Sequence, residues 1–535
     1  MGHSGDVSLA ITGARGPLSR PQPSRDGGQR STPAEHRVCR SCRESSAALR
    51  PATRVSGHAA SLGALSGGVV LGWSNVVQPY LQEADLSWTG EEASYNRSHP
   101  ALSNYEDNLV GALPYVGALF GALFSGDVAD SLGRRRLLLA TAVPYMLCWL
   151  LVMTTELLAV ILVSQVVAGV ALGVTCTITP MYIEEIAEDG IRGTLEVYMD
   201  VLLTAGGLLV YVAGAFLDYF WLAVAATGVP LVFLLSFYFM PESPVYLLCK
   251  GERDRAEKAL HWLRGYTEQS SDEDVQKGIT GLEKMLGQFP AIDTTPLLTR
   301  IVRVPCFVKD LVLNADITPA AVRATVVVCG LMCFQQLCGL STVVMLAISL
   351  LQARSGPIDS QFECFMIVTS IEAVSVTASA FVVDRVGRRV LLLVSGSLMA
   401  ACHAALVANS LMQDGAAYPW VLILISNVYI MAFSLGVGPI PFVLCAELSP
   451  MKEKNSIQPL ANFLDWGLSF VVNQYLNTFL QDLGDLASFS IFCGICISGT
   501  VFVYLWVPET KLKSREEIQV ALADDGSSLL SSSQC

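Results

Sequence analysis

Apolar stretches long enough to cross a lipid bilayer recur about twelve times along these 535 residues, which leaves the chain few ways to fold. A spanning helix needs about 20 apolar residues at a rise of about 1.5 Å each. Such stretches fall near 59–81, 107–127, 137–154, 158–180, 196–217, 221–240, 324–350, 362–383, 390–411, 419–443, 459–480 and 487–507. Two continuous runs have to be divided. Residues 196–240 as a single helix would extend roughly 67 Å, more than twice the hydrocarbon core. Asp218-Tyr219 is the natural break, because an unpaired carboxylate is costly in lipid; Thr154-Thr155-Glu156 divides 137–180 in the same way. The composition agrees, with 52% of residues hydrophobic and 15% charged, where soluble domains average about 25% charged. The chain reads as an all-α membrane protein with twelve transmembrane helices. Its formal charge of −13 says little about partners, since the acids lie mostly in loops, the central segment and the C-terminal tail.

Three motifs then occur twice, in the same order. Asp130-Ser-Leu-Gly-Arg-Arg135 and Asp384-Arg-Val-Gly-Arg-Arg389 are tight charged turns 254 positions apart. Glu185 and Glu447 are 262 apart, and Pro241-Glu242-Ser-Pro244 and Pro508-Glu509-Thr-Lys511 are 267 apart. Three repeats at nearly one offset mean two pseudo-symmetric six-helix halves. The expected division is a disordered tail over 1–54, a first half over 55–240, a linker domain of short amphipathic helices over 241–323, a second half over 324–507 and a tail over 508–535. The 1–54 segment is rich in Arg, Ser, Pro and Gly and holds nine Arg and no Lys.

Loop charge gives orientation. Arg134, Arg135, Arg136, Arg385, Arg388 and Arg389 fall in alternate loops, on the side of the basic N-terminal tail. The positive-inside rule puts these loops and both termini in the cytosol. Asn96-Arg-Ser98 then becomes an N-glycosylation acceptor on the outer side. Cys39-Arg-Ser-Cys42 has no second half for a zinc site, so no metal is expected. The other cysteines that sit inside apolar runs read as small hydrophobes.

Acid and base also repeat in order. Asp130 with Arg134 and Arg135, Glu185 with Arg192, and Glu242 are mirrored by Asp384 with Arg388 and Arg389, Glu447 with Lys454, and Glu509. Arg192 and Lys454 are 262 apart, like the glutamates. These pairs are expected to form salt bridges that latch the inner helix ends and part when that end opens. An exposed pair contributes only about 0–1 kcal/mol, so a latch needs a network.

Parallel six-helix halves around a central site are the architecture of the major facilitator group. Both D-x-x-G-R-R turns, Pro180-x-Tyr-x-x-Glu-Ile-Ala187, Arg192-Gly193, Pro241–Pro244, Gln335-Gln336-Leu-Cys-Gly339, Gly436-Val-Gly-Pro-Ile-Pro441 and Pro508–Lys511 resemble the sugar-porter family over about residues 55–520. Val70-Leu-Gly-Trp-Ser74 is similar to its arthropod trehalose-transporter-like branch. The resemblance implies a plasma-membrane facilitator moving a hexose or trehalose by alternating access, without a cofactor. It also implies sugar contacts at Gln335 and Gln336 and ring stacking at Trp466. Ser341, Phe442, Asp465, Asp200 and Glu372 stand at further cavity positions, where the family carries Asn, Trp, Asn, Gln and Asn. Three acids in the membrane are functional-site candidates: they could accept sugar hydroxyls, pair with a cationic substrate or take up a proton. The first helix lacks the acid that carries coupling in proton-coupled relatives, which argues for a facilitator. A proton-coupled porter of a sugar or other small polar solute, and a non-transporting sugar sensor, are the alternative readings. No catalytic constellation is present in the pattern, so no enzyme is expected; the partners expected are a small sugar and the bilayer, and not nucleic acid.

Overall fold

The computed structural model describes residues 51–82, 104–154, 157–187, 191–264, 318–355, 360–411, 419–450, 453–476, 483–511 and 517–522, with scattered residues at 276–283 and 513. Asn96, Cys39 and Cys42 lie outside them. Six long helices come first: α1 (Pro51–Gln82), α2 (Asn104–Leu132), α3 (Arg134–Thr154), α4 (Leu158–Ile186), α5 (Arg192–Gly214) and α6 (Tyr219–Phe237). The run that needed dividing at Asp218 breaks there, with Asp218 at the N-cap position of α6. Helix α1 starts at Pro51, four residues before the boundary expected for the first half.

Two short helices follow, α7 (Pro244–Cys249) and α8 (Arg253–Arg264). Ser243 caps α7 by accepting the Tyr246 N–H at 3.3 Å, with Pro244 in the first turn where no N–H is needed. The buried face of α8 carries Ala256, Ala259, Leu260 and Leu263, and its last turn meets the start of α1, where Thr53 Oγ1 donates to the Leu263 carbonyl at 2.8 Å.

The second series is more broken. It runs α9 (Pro319–Leu337), α10 (Leu340–Ser355), α11 (Ser360–Val386), α12 (Arg388–Leu411), α13 (Pro419–Leu435), α14 (Ile440–Leu448), α15 (Lys454–Val471) and α16 (Asp485–Trp506). The stretch expected as one helix over 324–350 is therefore α9 and α10, and that over 419–443 is α13 and α14. The first break is at Gly339, whose φ of +92° no β-branched or bulky residue adopts easily, and where a Cβ would lie 2.6 Å from the Phe492 ring. The freed carbonyl of Cys338 accepts from the Tyr429 hydroxyl at 2.8 Å and from His403 Nε2 at 3.1 Å. The second break is at Gly436–Pro439; the Gly438 carbonyl accepts from Gln335 Nε2 at 2.8 Å.

Eleven spans among the described residues are long and apolar enough to cross a bilayer. The twelfth position belongs to α15, continued by a π-helical turn over Val472–Leu476. Its hydropathy is lowered by a buried polar stripe of Lys454, Gln458, Asn462, Asp465 and Ser469. In a lipid-exposed helix such a stripe would be costly; here it faces other helices.

Within the first six helices the contacts are close. Helices α2 and α4 cross so tightly that a Cβ on Gly117 would come 2.1 Å from the Val166 carbonyl oxygen, and one on Gly169 2.2 Å from that of Pro114. Small residues let membrane helices approach in this way. Two seams join the two series, α2 on α15 and α5 on α11. Large apolar side chains such as Phe216, Leu235, Phe239, Val374 and Tyr504 point outward, as a surface facing lipid acyl chains requires.

Candidate functional site: a charged closure and a polar interface between the two helix series

The two D-x-x-G-R-R turns are built alike. Gly133 and Gly387 have φ of +96° and +108°. A Cβ on either would collide with a carboxylate, 2.5 Å from Glu242 Oε2 in the first case and 2.8 Å from Glu509 Oε2 in the second. Glu242 Oε1 accepts the N–H groups of Arg135 at 2.9 Å and Ser243 at 3.1 Å. Glu509 accepts those of Arg388 at 3.1 Å, Arg389 at 3.2 Å and Lys511 at 3.1 Å. Glu242 thus satisfies one amide, and Glu509 two, at the N-terminus of the helix after the turn, where four donors lack intrahelical partners and negative charge is favoured. Burial pushes the Glu242 carboxyl above the usual carboxylate range, and the amide bonds from Arg135 and Ser243 pull back against it.

The arginines that follow do different things. Arg134 is buried and forks between two acids, with Nη1 3.2 Å from Asp130 Oδ1 and Nη2 3.1 Å from Glu185 Oε1. Arg388 does the same with Asp384 at 2.9 Å and Glu447 at 2.8 Å. The expected pairings of Glu185 with Arg192 and Glu447 with Lys454 are therefore corrected: these glutamates complete the forks of Arg134 and Arg388. Arg135 and Arg389 were expected beside Asp130 and Asp384. Their guanidinium groups instead donate to the carbonyls of Tyr238 and Tyr504, each lying 5.7 Å over that tyrosine's ring. Helix ends favour cations at just such carbonyls.

The same end of the molecule carries the ties between the two series. Lys454 at the start of α15 forms a buried ion pair with Glu184 of α4. Asp384 Oδ2 accepts from the Thr194 N–H at 3.0 Å and its hydroxyl at 2.6 Å. Gly193 fits directly against Arg388 and Asp384, where a Cβ would stand 2.4 Å from Arg388 Nη2. Arg192 lies within electrostatic reach of Glu447 across the interface. This end is closed.

Deeper in the interface, Gln336 Nε2 donates to Asp465 Oδ1 at 2.7 Å. Asp200 lies within electrostatic reach of Asp465 and Glu372. Trp466 stacks on Tyr115 across the α2–α15 seam, with ring centroids 6.0 Å apart. Asp200, Glu372, Gln336, Asp465 and Trp466 thus gather at one level. Gln335 turns aside to the Gly438 carbonyl, and Ser341 sits half-buried just past the α9–α10 break. Phe442 lines a small, narrow cleft with Cys176, Thr177, Pro180, Cys445, Gln458 and Asn462.

Gln458, Asn462, Thr177, Thr194, Glu184 and Tyr115 did not stand out as candidates in the sequence. One signal was available: Lys454, Gln458, Asn462 and Trp466 recur every four residues along one helix. Asn462 donates to Thr177 Oγ1 at 2.9 Å, a third polar tie between the series. Among the described residues, no group of three or more His, Cys, Asp or Glu side chains could hold a metal ion.

Comparison with known proteins agrees with this architecture. The xylose–proton symporter XylE bound to 6-bromo-6-deoxy-D-glucose superposes with a TM-score of 0.70 at 20% identity, over 88% of this chain and 98% of that one. The facilitated trehalose transporter Tret1 of Anopheles gambiae is 30% identical over 422 residues, covering 78% of this chain and 51% of the relative. Its counterpart from Apis mellifera ligustica is 28% identical, covering 80% of this chain and 84% of the relative. The chain spans about half the length of several curated relatives it matches. The model of the family described as "Sugar (and other) transporter" matches residues 60–522. With that match over most of its length, the chain belongs to the sugar (and other) transporter family and is a multi-pass helical membrane protein of major facilitator fold.

Proposed function

We propose that this chain carries a sugar, a hexose or trehalose, down its gradient across the plasma membrane by alternating access. Its two halves, 55–240 and 324–507, rock about a central site. The linker domain over 241–323 and both tails lie in the cytosol, on the side of the basic turns, and Asn96 lies outside. The observation that carries this reading is the polar lining of the interface. Amide, indole and carboxyl groups of Gln336, Asp200, Asp465 and Trp466 lie in the interface between the helix series, near Gln335 and the Gln458–Asn462 stripe. A polyol offers hydroxyls for such groups and an apolar ring face for an indole. Family membership and the likeness to facilitated trehalose transporters point the same way.

The ties at the closed end supply the gate. In this reading Lys454–Glu184, Thr194–Asp384 and Asn462–Thr177 are all made in the outward-facing or occluded form and part as the inner end opens. The forks of Arg134 and Arg388 stay within their own halves. Uptake of labelled glucose and trehalose, in a host lacking its own porters, tests the reading. Saturable uptake of at least one sugar, unchanged when the proton gradient is collapsed, is the expected result. Sugar binding without any uptake would replace the carrier by a sensor.

A further inference from the structure

The acids gathered between the two series face no basic partner. The charged groups acting on Asp200 are Asp465 and Glu372, and no Lys, Arg or His is among those acting on Asp465 or Glu372. Asp200 thus lies within reach of two other carboxylates in surroundings that hold little water, where like charges repel and a cation relieves the repulsion. Two further observations bear on what that cation is.

The first is a surplus of acceptors. Gln335, Gln458 and Asn462 are each more than nine-tenths buried, yet Gln335 Oε1, Gln458 Oε1 and Asn462 Oδ1 have no hydrogen-bond partner. Asp200 Oδ2 is buried and likewise has none. Trp466 Nε1 is the one unpartnered donor among these side chains. The cleft holding Gln458 and Asn462 adjoins the acids, because its Cys176 lies within reach of both Asp200 and Asp465. The hydroxyls of a sugar can each donate one hydrogen bond to an amide oxygen, but a neutral sugar leaves the negative charge of the acids unmatched. A primary ammonium brings three donors and no acceptor.

The second observation is aromatic. Tyr115 lies within electrostatic reach of Asp465 and its ring stacks on Trp466, and an aromatic pair near a carboxylate is a setting in which ammonium groups are held. A bare proton would neutralise one carboxylate but would use neither the ring faces nor the amide oxygens.

We propose that the solute this carrier prefers is a sugar or polyol bearing a protonated amine, its ammonium held by Asp200 and Asp465 and its hydroxyls by Gln335, Gln336 and the Gln458–Asn462 stripe. This rests on the sugar-carrier reading and narrows its substrate class. Glu372 adds negative potential from α11 across the α5–α11 seam.

The test uses the purified full chain in proteoliposomes, with D-glucose, D-glucosamine and N-acetyl-D-glucosamine as probes and no proton gradient. A charge-assisted hydrogen bond contributes about 1.5–3 kcal/mol. Glucosamine should therefore inhibit labelled-glucose uptake at a concentration about tenfold or more below that needed by unlabelled glucose. N-acetylglucosamine, with the same ring and no charge, should show no such advantage. Asp200→Asn and Asp465→Asn should shrink the glucosamine-to-glucose ratio toward one. Equal competition by all three sugars during normal glucose uptake would overturn the amine preference and leave the sugar carrier standing. Glucose uptake that requires an inward proton gradient would also overturn it, by giving the acids to protons. Failure of every probe to enter would remove the sugar-carrier reading itself. The competition ratio is read on the unmodified protein, so poor folding of a variant does not blunt the test.

Discussion

The turn at Gly133 and the turn at Gly387 share a glycine with positive φ, a glutamate seated on helix N-terminal amides and an arginine forked between two acids. They differ in where the first acid of the fork faces. Asp130 and Arg134 close on their own helix series, with the Arg134 guanidinium 5.2 Å over the ring of Tyr246. The Asp384 side chain is about a quarter exposed and reaches out to Thr194 of the other series, while Gly193 packs onto Arg388. One turn braces a bundle from within; its copy is also a surface on which the other bundle rests. Duplication supplied the parts, and the interface made them unequal.

The largest effect expected from that inequality comes from removing the forks. Arg134→Ala removes the guanidinium that Asp130 and Glu185 share, and losing that buried fork should cost about 3–5 kcal/mol of stability, read as a fall in the detergent melting temperature. Arg388→Ala should cost less, because Asp384 keeps two donors from Thr194 and part of its hydration. Equal losses in the two variants would erase the distinction between brace and bearing surface.

Next comes the crossing ion pair. Lys454→Met removes the cross-series cation of the Glu184 carboxylate in the closed state alone, a penalty of up to about 3–5 kcal/mol for a buried pair. The closed end should then open more often. Cys176 and Cys445, both buried in the cleft beneath, should react faster with a membrane-impermeant thiol reagent, as mapped by peptide mass spectrometry. Adding Glu184→Gln should slow labelling again; if the double variant labels as fast as the single one, the pair is not the latch.

A smaller contrast separates the two capping glutamates. Both amide bonds to Glu242 end on one oxygen, so Glu242→Gln can keep both. Those to Glu509 use both oxygens, so Glu509→Gln must lose one, at about 0.5–1.5 kcal/mol. Melting curves of the two variants should differ in that order.

The smallest effect is in pH. The folded Glu242 carboxyl binds its proton more tightly than the unfolded one. Its contribution is therefore fully present below the ordinary carboxylate range and is lost as pH rises through the raised folded value. Glu242→Gln should flatten that part of the stability–pH profile; an unchanged slope would assign it to other groups.

Much of this architecture could be read from residue order. Apolar run lengths and the repeated turns led to the helix order and to the G-R-R ends, because those signals are local and survive without partners. The pairings were not legible. Glu184 and Glu185 are neighbours in sequence, but successive residues on a helix point about 100° apart. Glu185 therefore faces Arg134 in its own series while Glu184 faces Lys454 in the other. Nothing in the string Glu-Glu says which is which. The breaks at Gly339 and Gly436–Pro439 were hidden for a related reason: an apolar run of spanning length looks continuous whether or not a side chain from another helix takes up a freed carbonyl. The hydroxyl of Tyr429 and the ring of His403, far away in sequence, do so for Cys338.

That joint has a mechanical consequence. Because the Cys338 carbonyl is already bonded to side chains, α10 can change its tilt against α9 without giving up a hydrogen bond of either helix. The work of tilting is done against packing, chiefly the Phe492 ring under Gly339. The corresponding segment of the first series, α1, is one uninterrupted rod from Pro51 to Gln82. A continuous helix in one series thus answers a jointed one in the other, and temperature and lipid tension should act on the two segments unequally.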